Sequence, residues 1–390
     1  MKHLEDILHI IREKNLWRKT VAYQQIDGNY VMLNEKKCLM LASNNYLGLT
    51  HNDKIQQASI AAIVKYGTGS GGARLTTGNY PLYDELELSI AQFKGTEAAL
   101  VFNTGYMANV GVISALCLKN DVIFSDELNH ASIIDGCRLA KAETKVYKHN
   151  DMTDLKLLLQ NTVCAGRKWI ITDGVFSMDG DIAPLNEIVA LAQEYGAEII
   201  VDDAHATGVI GDGKGSAHHF GLKAEVAVQI GTLSKAIGSE GGFVAGSQIL
   251  VDYLRNVARS FIFSTALAPA VVCASIRAIK EIQDNDKLVN TLSVNSLFMR
   301  ECLMAEGLTV IDGETPIIPI IIGDAARTLE IKEKCQDNGL IVSAIRPPTV
   351  PVGTSRLRLT VMATHTKADL KAAAKIIADI IKERGCEITP

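Results

Sequence analysis

The sequence has no closely spaced pair of cysteines. No two of its eight cysteines stand fewer than 20 residues apart, which excludes a CxxC redox motif and a zinc knuckle. With no secretory signal pattern either, we expect free thiols in a reducing cytoplasm. The adjacent His218 and His219 lack an acidic or cysteine partner at ligand spacing, so we expect no metal. The cysteines occupy positions 38, 117, 137, 164, 273, 302, 335 and 386.

Long apolar runs and a surplus of positive charge are also missing. No run approaches the roughly 18 apolar residues that a membrane-spanning helix needs, so we expect no membrane segment. The net charge of −5 gives no reason to expect nucleic acid or an anionic membrane as a partner. With 390 residues, 47% of them hydrophobic, the chain can form two soluble domains. We predict a helix and hairpin segment over 1–45, a large domain over 46–285 and a small domain over 286–390.

The hydrophobic pattern predicts an α/β fold. Between residues 98 and 246, short and continuously apolar strands alternate with helices, which is typical of a mostly parallel sheet covered on both faces. The C-terminal domain is expected to be α+β, with polar-faced strands. We predict an amphipathic helix over 1–20, a hairpin over 31–41 that turns at 34–35, a long helical region over 251–303 and a strand over 308–311.

Two glycine-rich segments resemble nucleotide-binding motifs without their context. Gly67, Gly69 and Gly72 match GxGxxG, but a predicted helix precedes them where a dinucleotide site needs a strand. Residues 208–215 reach GxxxxGK, but Gly215 stands where a P-loop needs Ser or Thr. Neither a nicotinamide site nor a nucleoside triphosphate site is favoured, and an NAD-linked oxidoreductase remains a remote alternative.

The segment 226–242 carries the strongest chemical signal. An apolar strand ends at Gly231 and Thr232, and Lys235 follows three residues later. Partial desolvation there would lower the pKa of the lysine and provide a nucleophilic amine for a Schiff base. Gly231, Thr232 and Ser234 offer amides and hydroxyls to a phosphate. Pyridoxal phosphate (PLP) would use both features, although a loop lysine of an ordinary α/β protein fits the same segment.

Polar residues follow other predicted strands at 126–130, 173–177 and 202–205. The carboxyl ends of strands in open α/β sheets form functional sites, so these groups are expected to converge with 232–235. A buried Asp202 would pair with a pyridinium nitrogen, His205 would bond a phenolic oxygen, and His130 would stack on a ring. Considered alone, each of these three residues could instead be an ordinary residue of a turn or loop. Gly105 and Tyr106 begin a helix, where amides and the dipole favour a phosphate.

Six ordered segments resemble the α-oxoamine synthases. These are fold-type I, aspartate-aminotransferase-like PLP enzymes that condense an amino acid with an acyl thioester and release CO₂. The resemblance covers essentially the whole chain and implies that fold, that cofactor and a homodimer with shared active sites. The segments are 43–49, 69–79, 129–136, 173–180, 201–205 and 231–235.

Two segments, 202–208 and 345–359, look most like the family member that serves biotin biosynthesis. That resemblance implies condensation of L-alanine with a pimeloyl thioester of coenzyme A or acyl carrier protein. Glycine C-acetyltransferase, which joins glycine to acetyl-CoA and tends to carry serine at the position of Ala204, is the alternative. Glycine use by this protein stays open, because one methyl group is worth only about 1–3 kcal/mol in a pocket. A binding module without catalysis is a remote alternative.

The resemblance also implies individual roles for cofactor-binding residues. Lys235 would carry PLP and move the Cα proton, Asp202 would pair with the ring nitrogen, and His130 would stack on the ring. Ser177 and His205 would contact the phenolic oxygen. The remaining contacts are to phosphate, from Gly105, Tyr106 and Thr232 within one subunit and from Ser264 and Thr265 of the neighbouring one.

Four further residues are implied to bind substrate. Asn44 and Arg358 would hold the amino-acid carboxylate, the arginine as a bidentate fork. Thr349 would line the acyl pocket. Arg18 would meet the far carboxylate of a pimeloyl chain.

Overall fold

The computed structural model describes residues 1–14 and 16–383, so Cys386 lies outside the described residues. The helices are α1 (Lys2–Glu13), α2 (Asp53–Tyr66), α3 (Pro81–Lys94), α4 (Gly105–Leu116), α5 (Ala131–Leu139), α6 (Met152–Gln160), α7 (Leu185–Tyr195), α8 (Ser216–His219), α9 (Gln248–Val257), α10 (Arg259–Ile262), α11 (Pro269–Gln283), α12 (Lys287–Ala305), α13 (Ala325–Asp337) and α14 (Lys367–Glu383). The strands are β1 (Gln24–Gln25), β2 (Tyr30–Leu33), β3 (Lys36–Met40), β4 (Ala98–Phe102), β5 (Val122–Asp126), β6 (Glu143–Tyr147), β7 (Lys168–Asp173), β8 (Ala197–Asp202), β9 (Val228–Thr232), β10 (Gly242–Gly246), β11 (Ile317–Gly323), β12 (Leu340–Ile341), β13 (Ser343–Ile345) and β14 (Ser355–Thr360).

The chain divides into two compact units. The larger unit comprises Leu47–Ser177 and Asp181–Asn290, and the smaller unit comprises Met1–Tyr46, Met178–Gly180 and the chain from Thr291 onward. The N-terminal segment, predicted as a separate piece, groups with the C-terminal part because β3 pairs in parallel with β12.

A seven-stranded sheet in the order β4-β10-β9-β8-β7-β5-β6 forms the centre of the larger unit. Strand β10 is antiparallel to both neighbours, whereas the other pairs are parallel. Successive side chains of β7 enter different cores: Trp169 and Ile171 pack with residues of α4 and α5, and Ile170 packs with residues of α6 and α7. The predicted mostly parallel sheet, covered on both faces, is confirmed.

The smaller unit contains two sheets, β1-β2-β3-β12 and β11-β14-β13. The predicted hairpin is confirmed, and its turn places Asn34 and Glu35 at φ of 48° and 64°. Strand β14 has the predicted polar face: Leu357 and Leu359 join the core of the smaller unit, and Arg356 and Arg358 alternate with them, although all six residues are buried. No helix of the described ranges has the length and apolar character required to cross a bilayer.

Three predicted elements differ from the structure. Helix α1 ends at Glu13 because the Leu16 amide bonds the Ile11 carbonyl and closes the helix. The region 251–303 is broken into separate helices: Ala258 is extended, residues 263–268 are non-helical, and Pro269 restarts the helix at its first position. Residues 308–311 form no strand, although Leu308 is buried in the core of the smaller unit.

The glycine-rich segment 67–78 is a loop between α2 and α3. Its Arg74 donates to Glu87 at 2.9 Å, and the guanidinium lies 3.7 Å from the centre of the Tyr83 ring. A Cβ atom on Gly78 would lie 2.1 Å from the Gly72 carbonyl oxygen. The glycines allow this loop to fold closely on itself, and a helix precedes it, so the context of a dinucleotide site is missing.

A fully buried ion pair joins α3 to the loop after β8. Lys94 Nζ lies 2.6 Å from Asp203 Oδ2 and donates to the Lys214 carbonyl at 2.5 Å, while Ser216 donates to the same carboxylate. A Cβ atom on Gly215 would lie 2.1 Å from Asp203 Oδ2. The glycine that breaks the P-loop pattern is therefore required by the packing against this ion pair.

We expect Lys94→Met to lower the free energy of unfolding by about 3–5 kcal/mol, because it leaves the Asp203 carboxylate buried without a countercharge. Lys156→Met is the matched control. It removes an exposed pair with Glu194 at 3.4 Å and should cost at most about 1 kcal/mol. Urea denaturation of both variants measures the difference, and equal losses would contradict the assigned role of the buried pair.

Candidate active site

Two carboxyl groups lie side by side at the carboxyl edge of the large sheet. Asp173 and Asp202 are the last residues of β7 and β8, and the parallel register pairs them directly. Both are 4% exposed. Asp202 accepts from Asn109 Nδ2 at 2.6 Å and from the Ala204 amide at 2.9 Å, and Asp173 accepts from the His130 amide at 2.8 Å. The protein therefore supplies these buried acids with defined donors.

The environments of the two acids differ. Burial raises the pKa of Asp173 well above its usual range, and the negative charge of Asp202 raises it further. The His130 amide and the Lys235 charge oppose this shift. Asp202 differs in having two hydrogen-bond donors, one from a side chain and one from the backbone. Such a group is suited to pair with a buried cation.

His130 caps the N-terminus of α5 and leaves part of its ring exposed. Its Nδ1 lies 2.7 Å from Ser132 Oγ and accepts from the Ser132 amide at 3.3 Å. Partial burial lowers the pKa of His130, the Lys235 charge lowers it further, and Asp202 opposes both. Because the charges of Asp202 and Lys235 both act on His130, these three residues lie in one cluster.

Lys235 lies in the short loop between β9 and β10. The Gly238 amide donates to the Lys235 carbonyl at 2.9 Å, and the side chains of Leu233 and Ile237 are buried on either side. Its own side chain is half-buried. The backbone around the lysine is thus fixed by a hydrogen bond and by buried neighbours on both sides. The predicted lowering of its pKa stays a prediction.

The start of α4 lies against the end of β9. A Cβ atom on Gly105 would lie 3.3 Å from Thr232 Cβ, and one on Gly242 would lie 2.4 Å from the Thr104 carbonyl oxygen. Thr104 caps the helix by accepting from the Met107 amide. Thr232 Oγ1 lies 2.7 Å from Ser234 Oγ. Helix amides and hydroxyls thus meet at one point, which suits an anion such as phosphate.

The other predicted cofactor residues lie in loops, except Tyr106, which is the second residue of α4. Ser177 follows β7 and is half-buried, and His205 follows β8 and is 6% exposed. Tyr106 is 45% exposed and donates from its hydroxyl to Asp135. Ser264 and Thr265 lie between α10 and α11, where the Thr265 carbonyl accepts from Asn103 at 2.6 Å. Their contact with a neighbouring subunit stays a prediction.

The predicted carboxylate-binding residues lie in the smaller unit. Both terminal nitrogens of Arg358 lie 3.3 Å from Asn44 Oδ1, and Nη2 lies 3.4 Å from the Tyr46 hydroxyl. Arg358 is 5% exposed. Its neighbour Arg356 is bound to Asp179. Within this unit the structure brings Asn44 and Arg358 together, and their long contacts leave the guanidinium able to exchange them for a stronger acceptor.

Thr349 and Arg18 are exposed residues of the smaller unit. The Thr349 amide donates to the Arg346 carbonyl at 3.1 Å. Partial burial lowers the pKa of Arg346, and the positive charge of Arg18 lowers it further. Two arginines are therefore close enough to repel one another, and an acidic group between them would relieve that repulsion. Arg346 was not predicted, although it lies in the segment 345–359 that carries the resemblance.

Asn109 and Ser132 are the main polar residues of the cluster that sequence reasoning missed. Both are buried, at 2% and 0% exposure. Asn109 is an isolated amide in the otherwise largely apolar α4, a pattern that indicates a buried polar contact. Ser132 stands two residues after His130, where its amide and hydroxyl can reach back to the ring.

The cluster in the larger unit combines a buried carboxylate, an amine, an imidazole and an anion-binding helix start. These groups fit PLP, which needs a partner for its ring nitrogen, a covalent lysine and a phosphate site. A Cβ atom on Gly242 would collide with the Thr104 carbonyl oxygen, and one on Gly105 would crowd Thr232, so both glycines allow the start of α4 to lie against the end of β9.

Comparison with known proteins agrees with this chemistry. The family model described as aminotransferase class I and II matches residues 36–377, and the chain belongs to this family. It is 52% identical to 8-amino-7-oxononanoate synthase of Lysinibacillus sphaericus over 379 residues, 97% of each chain. It is 47% identical to the protein of that name from Geobacter metallireducens, over 98% of this chain and 99% of that one.

A solved structure confirms the predicted fold class. Serine palmitoyltransferase from S. paucimobilis, in a variant with bound PLP–myriocin aldimine, superposes with a TM-score of 0.94. It is 31% identical, covering 98% of this chain and 99% of that one. The larger unit therefore presents its cluster on the framework of a PLP enzyme.

A charged cluster near the same sheet edge fixes a loop. His149 Nδ1 lies 3.0 Å from Asp126 and its Nε2 lies 2.8 Å from Asp181, with the ring edge-on to Phe176. Burial alone would lower the pKa of His149, but hydrogen bonds and charge from the two carboxylates raise it to about 10. The imidazole is therefore held in its charged form at neutral pH.

We expect His149→Gln to destabilise the protein in a pH-dependent way. The unfolded pKa of histidine is about 6.5, so this stabilisation is complete below about pH 6.5 and is lost as pH rises through about 10. The difference in unfolding free energy between wild type and variant should shrink over that window. His51→Gln is the control, because its ring faces the Thr50 hydroxyl at 3.1 Å instead of two acids. A constant difference for His149→Gln would contradict the prediction.

Proposed function

We propose that this protein condenses L-alanine with a pimeloyl thioester to give 8-amino-7-oxononanoate, CO₂ and free thiol, as a PLP-dependent acyltransferase of biotin biosynthesis. The observation that carries the proposal is 52% identity, over 97% of both chains, with a relative of that name. The cluster of Lys235, Asp202 and His130 supplies the chemistry that such a reaction needs.

When bound, PLP supplies a cationic ring that withdraws electrons from the Cα atom of the amino acid. Asp202, held by Asn109 and the Ala204 amide, keeps the ring nitrogen protonated. His130 would lie against the ring, and Ser177 and His205 would hydrogen-bond its phenolic oxygen. The amides of Gly105 and Tyr106 and the hydroxyl of Thr232 hold the phosphate.

Lys235 has two tasks. Its Nζ attaches the cofactor to the chain, and the same atom then removes and returns the Cα proton of the amino acid as a general base. The fixed backbone of the loop, with Leu233 and Ile237 buried, keeps this amine in place through both tasks. Lys94 takes no part because its ammonium group is fully buried with Asp203.

Arg358 and Asn44 bind the carboxylate of the amino acid. A carboxylate would replace the two 3.3 Å contacts to Asn44 by shorter, charge-assisted bonds to the guanidinium fork. Fixing the carboxylate decides which bond at Cα is aligned for cleavage, so that the proton leaves before CO₂ does. Thr349 lines the acyl pocket, and Arg18 beside Arg346 receives the far carboxylate of the pimeloyl chain.

The protein acts as a homodimer in which Ser264 and Thr265 reach the phosphate of the neighbouring subunit. The support in this chain is a set of exposed apolar side chains on the larger unit, among them Leu75 at 52%, Val64 at 83% and Phe263 at 69% exposure. Phe263 directly precedes Ser264. Apolar groups exposed to this degree on several elements favour burial against a second copy.

A cytoplasmic location is part of the same proposal. The seven cysteines within the described residues are free thiols, as expected in a reducing compartment. Substrate chemistry agrees, since coenzyme A and acyl carrier protein are both thiols.

Thiol release by the purified protein tests the substrate assignment. We expect the highest kcat/KM with L-alanine and pimeloyl thioester, and no turnover by Lys235→Ala. The assay compares alanine and glycine against pimeloyl-CoA and acetyl-CoA. Greater efficiency with glycine and acetyl-CoA would overturn the assignment in favour of glycine C-acetyltransferase.

Gly242→Ala tests whether the start of α4 binds the phosphate of PLP. The added Cβ would lie 2.4 Å from the Thr104 carbonyl oxygen and 2.5 Å from the Gly105 nitrogen, which displaces the amides that bind phosphate. We expect PLP affinity to fall by about tenfold or more, equal to about 1.4 kcal/mol. Gly69→Ala, whose Cβ meets nothing within 4 Å, is the control. Titration of cofactor-free protein with PLP measures both, and unchanged affinity of Gly242→Ala would contradict the assigned phosphate site.

A further inference from the structure

A continuous chain of hydrogen bonds connects the carboxylate of Asp202 to the imidazole of His130. Asn109 Nδ2 donates to Asp202 Oδ2 at 2.6 Å and to Ser132 Oγ at 2.9 Å. Ser132 Oγ in turn lies 2.7 Å from His130 Nδ1. The chain crosses from β8 through α4 to α5 within the larger unit.

The chemistry of the groups fixes the direction of each bond. An ionised carboxylate only accepts, so the amide of Asn109 must turn its amino group toward Asp202. The second hydrogen of that amino group points to Ser132 Oγ, which therefore acts as an acceptor there. The hydroxyl proton of Ser132 is then free to donate to His130 Nδ1.

A second donor enforces the same result at His130. The Ser132 backbone amide also points at Nδ1, at 3.3 Å, and an amide N–H can only donate. Nδ1 consequently carries no proton, and the neutral ring has its proton on Nε2. The charged groups around the ring are Lys235, which disfavours the imidazolium, and Asp202, which favours it; Asp173 accepts from the backbone of the same residue.

We propose that Asn109 and Ser132 are positioning residues: Ser132 keeps the proton of the neutral His130 ring on Nε2, and Asn109 holds the carboxylate of Asp202 in place. This inference rests on the proposed function, in which Asp202 pairs with the ring nitrogen of PLP and His130 stacks on the ring. A neutral imidazole can stack on a cationic ring without charge repulsion, whereas an imidazolium would oppose protonation of the ring nitrogen. We call this chain of hydrogen bonds, from Asp202 through Asn109 and Ser132 to His130, the relay. With the relay in place, the cofactor ring carries the positive charge and the histidine is neutral.

Nitrogen-15 NMR of histidine-labelled full-length protein, without and with PLP, tests the relay. His130 is assigned by comparison with His130→Asn. In wild type we expect an unprotonated Nδ1 and a protonated Nε2 at neutral pH. Ser132→Ala removes one donor to Nδ1 and should raise the pKa of His130 by about 0.5–1 unit, with a mixture of tautomers.

Ser114→Ala is the matched control. It likewise removes a hydrogen-bonded serine hydroxyl, but one that donates to the Val110 carbonyl of its own helix at 2.6 Å and is not part of the relay. It should leave the His130 signals unchanged. A protonated Nδ1 in wild type, or an unchanged His130 pKa and tautomer in Ser132→Ala, would overturn the proposal. The wild-type spectrum alone is decisive if the variant fails to fold.

The affinity for PLP provides a separate readout. Asn109→Ala removes a donor from Asp202, and we expect PLP to dissociate about tenfold more readily. Unchanged affinity would show that the amide does not support the carboxylate. If wild type binds no PLP, the proposed function fails, while the tautomer measurement on cofactor-free protein still decides whether the relay exists.

Discussion

Keeping a negative charge in the interior of the larger unit is the constraint on which this site depends. Asp173 and Asp202 end neighbouring parallel strands in register, and both are almost inaccessible to water. Two ionised acids so close together would repel one another, so the surroundings must divide the charge between them. Asn109 and the Ala204 amide donate to Asp202, whereas burial and the charge of Asp202 raise the pKa of Asp173.

Two consecutive acids at the end of β8 have different partners. Asp202 is the last residue of the strand, and Asp203 is the first residue of the loop that follows. Asp202 accepts from Asn109 of α4, and Asp203 forms the buried pair with Lys94 of α3. In the proposed function Asp202 serves the cofactor, while Asp203 anchors the loop that leaves β8.

Much of this arrangement could be predicted because strand ends are visible in the sequence. Lys235, Asp202 and His130 follow apolar runs that are long enough to identify, and the rule that strand ends converge brought them together. Asn109 could not be placed, because the rotation of a helix about its axis, which decides what a lone amide touches, is set by packing. The strand predicted over 308–311 was wrong for a related reason. Leu308 is buried in a core, and an apolar residue of this kind does not reveal whether its backbone pairs with another strand. The reversed direction of β10 was likewise hidden, since composition carries no information on strand direction.

The loop that holds Lys235 joins two strands from the interior of the sheet. Strand β9 lies between β8 and β10, and β10 lies between β9 and β4. The Leu233 amide bonds the Gly241 carbonyl, and the Ser239 amide bonds the Leu233 carbonyl. These bonds attach the loop to interior strands, so we expect the Leu233 and Ser239 amides to exchange with solvent deuterium more slowly than amides at the edges of the sheet. The backbone that carries Lys235 is in this way attached to the middle of the sheet.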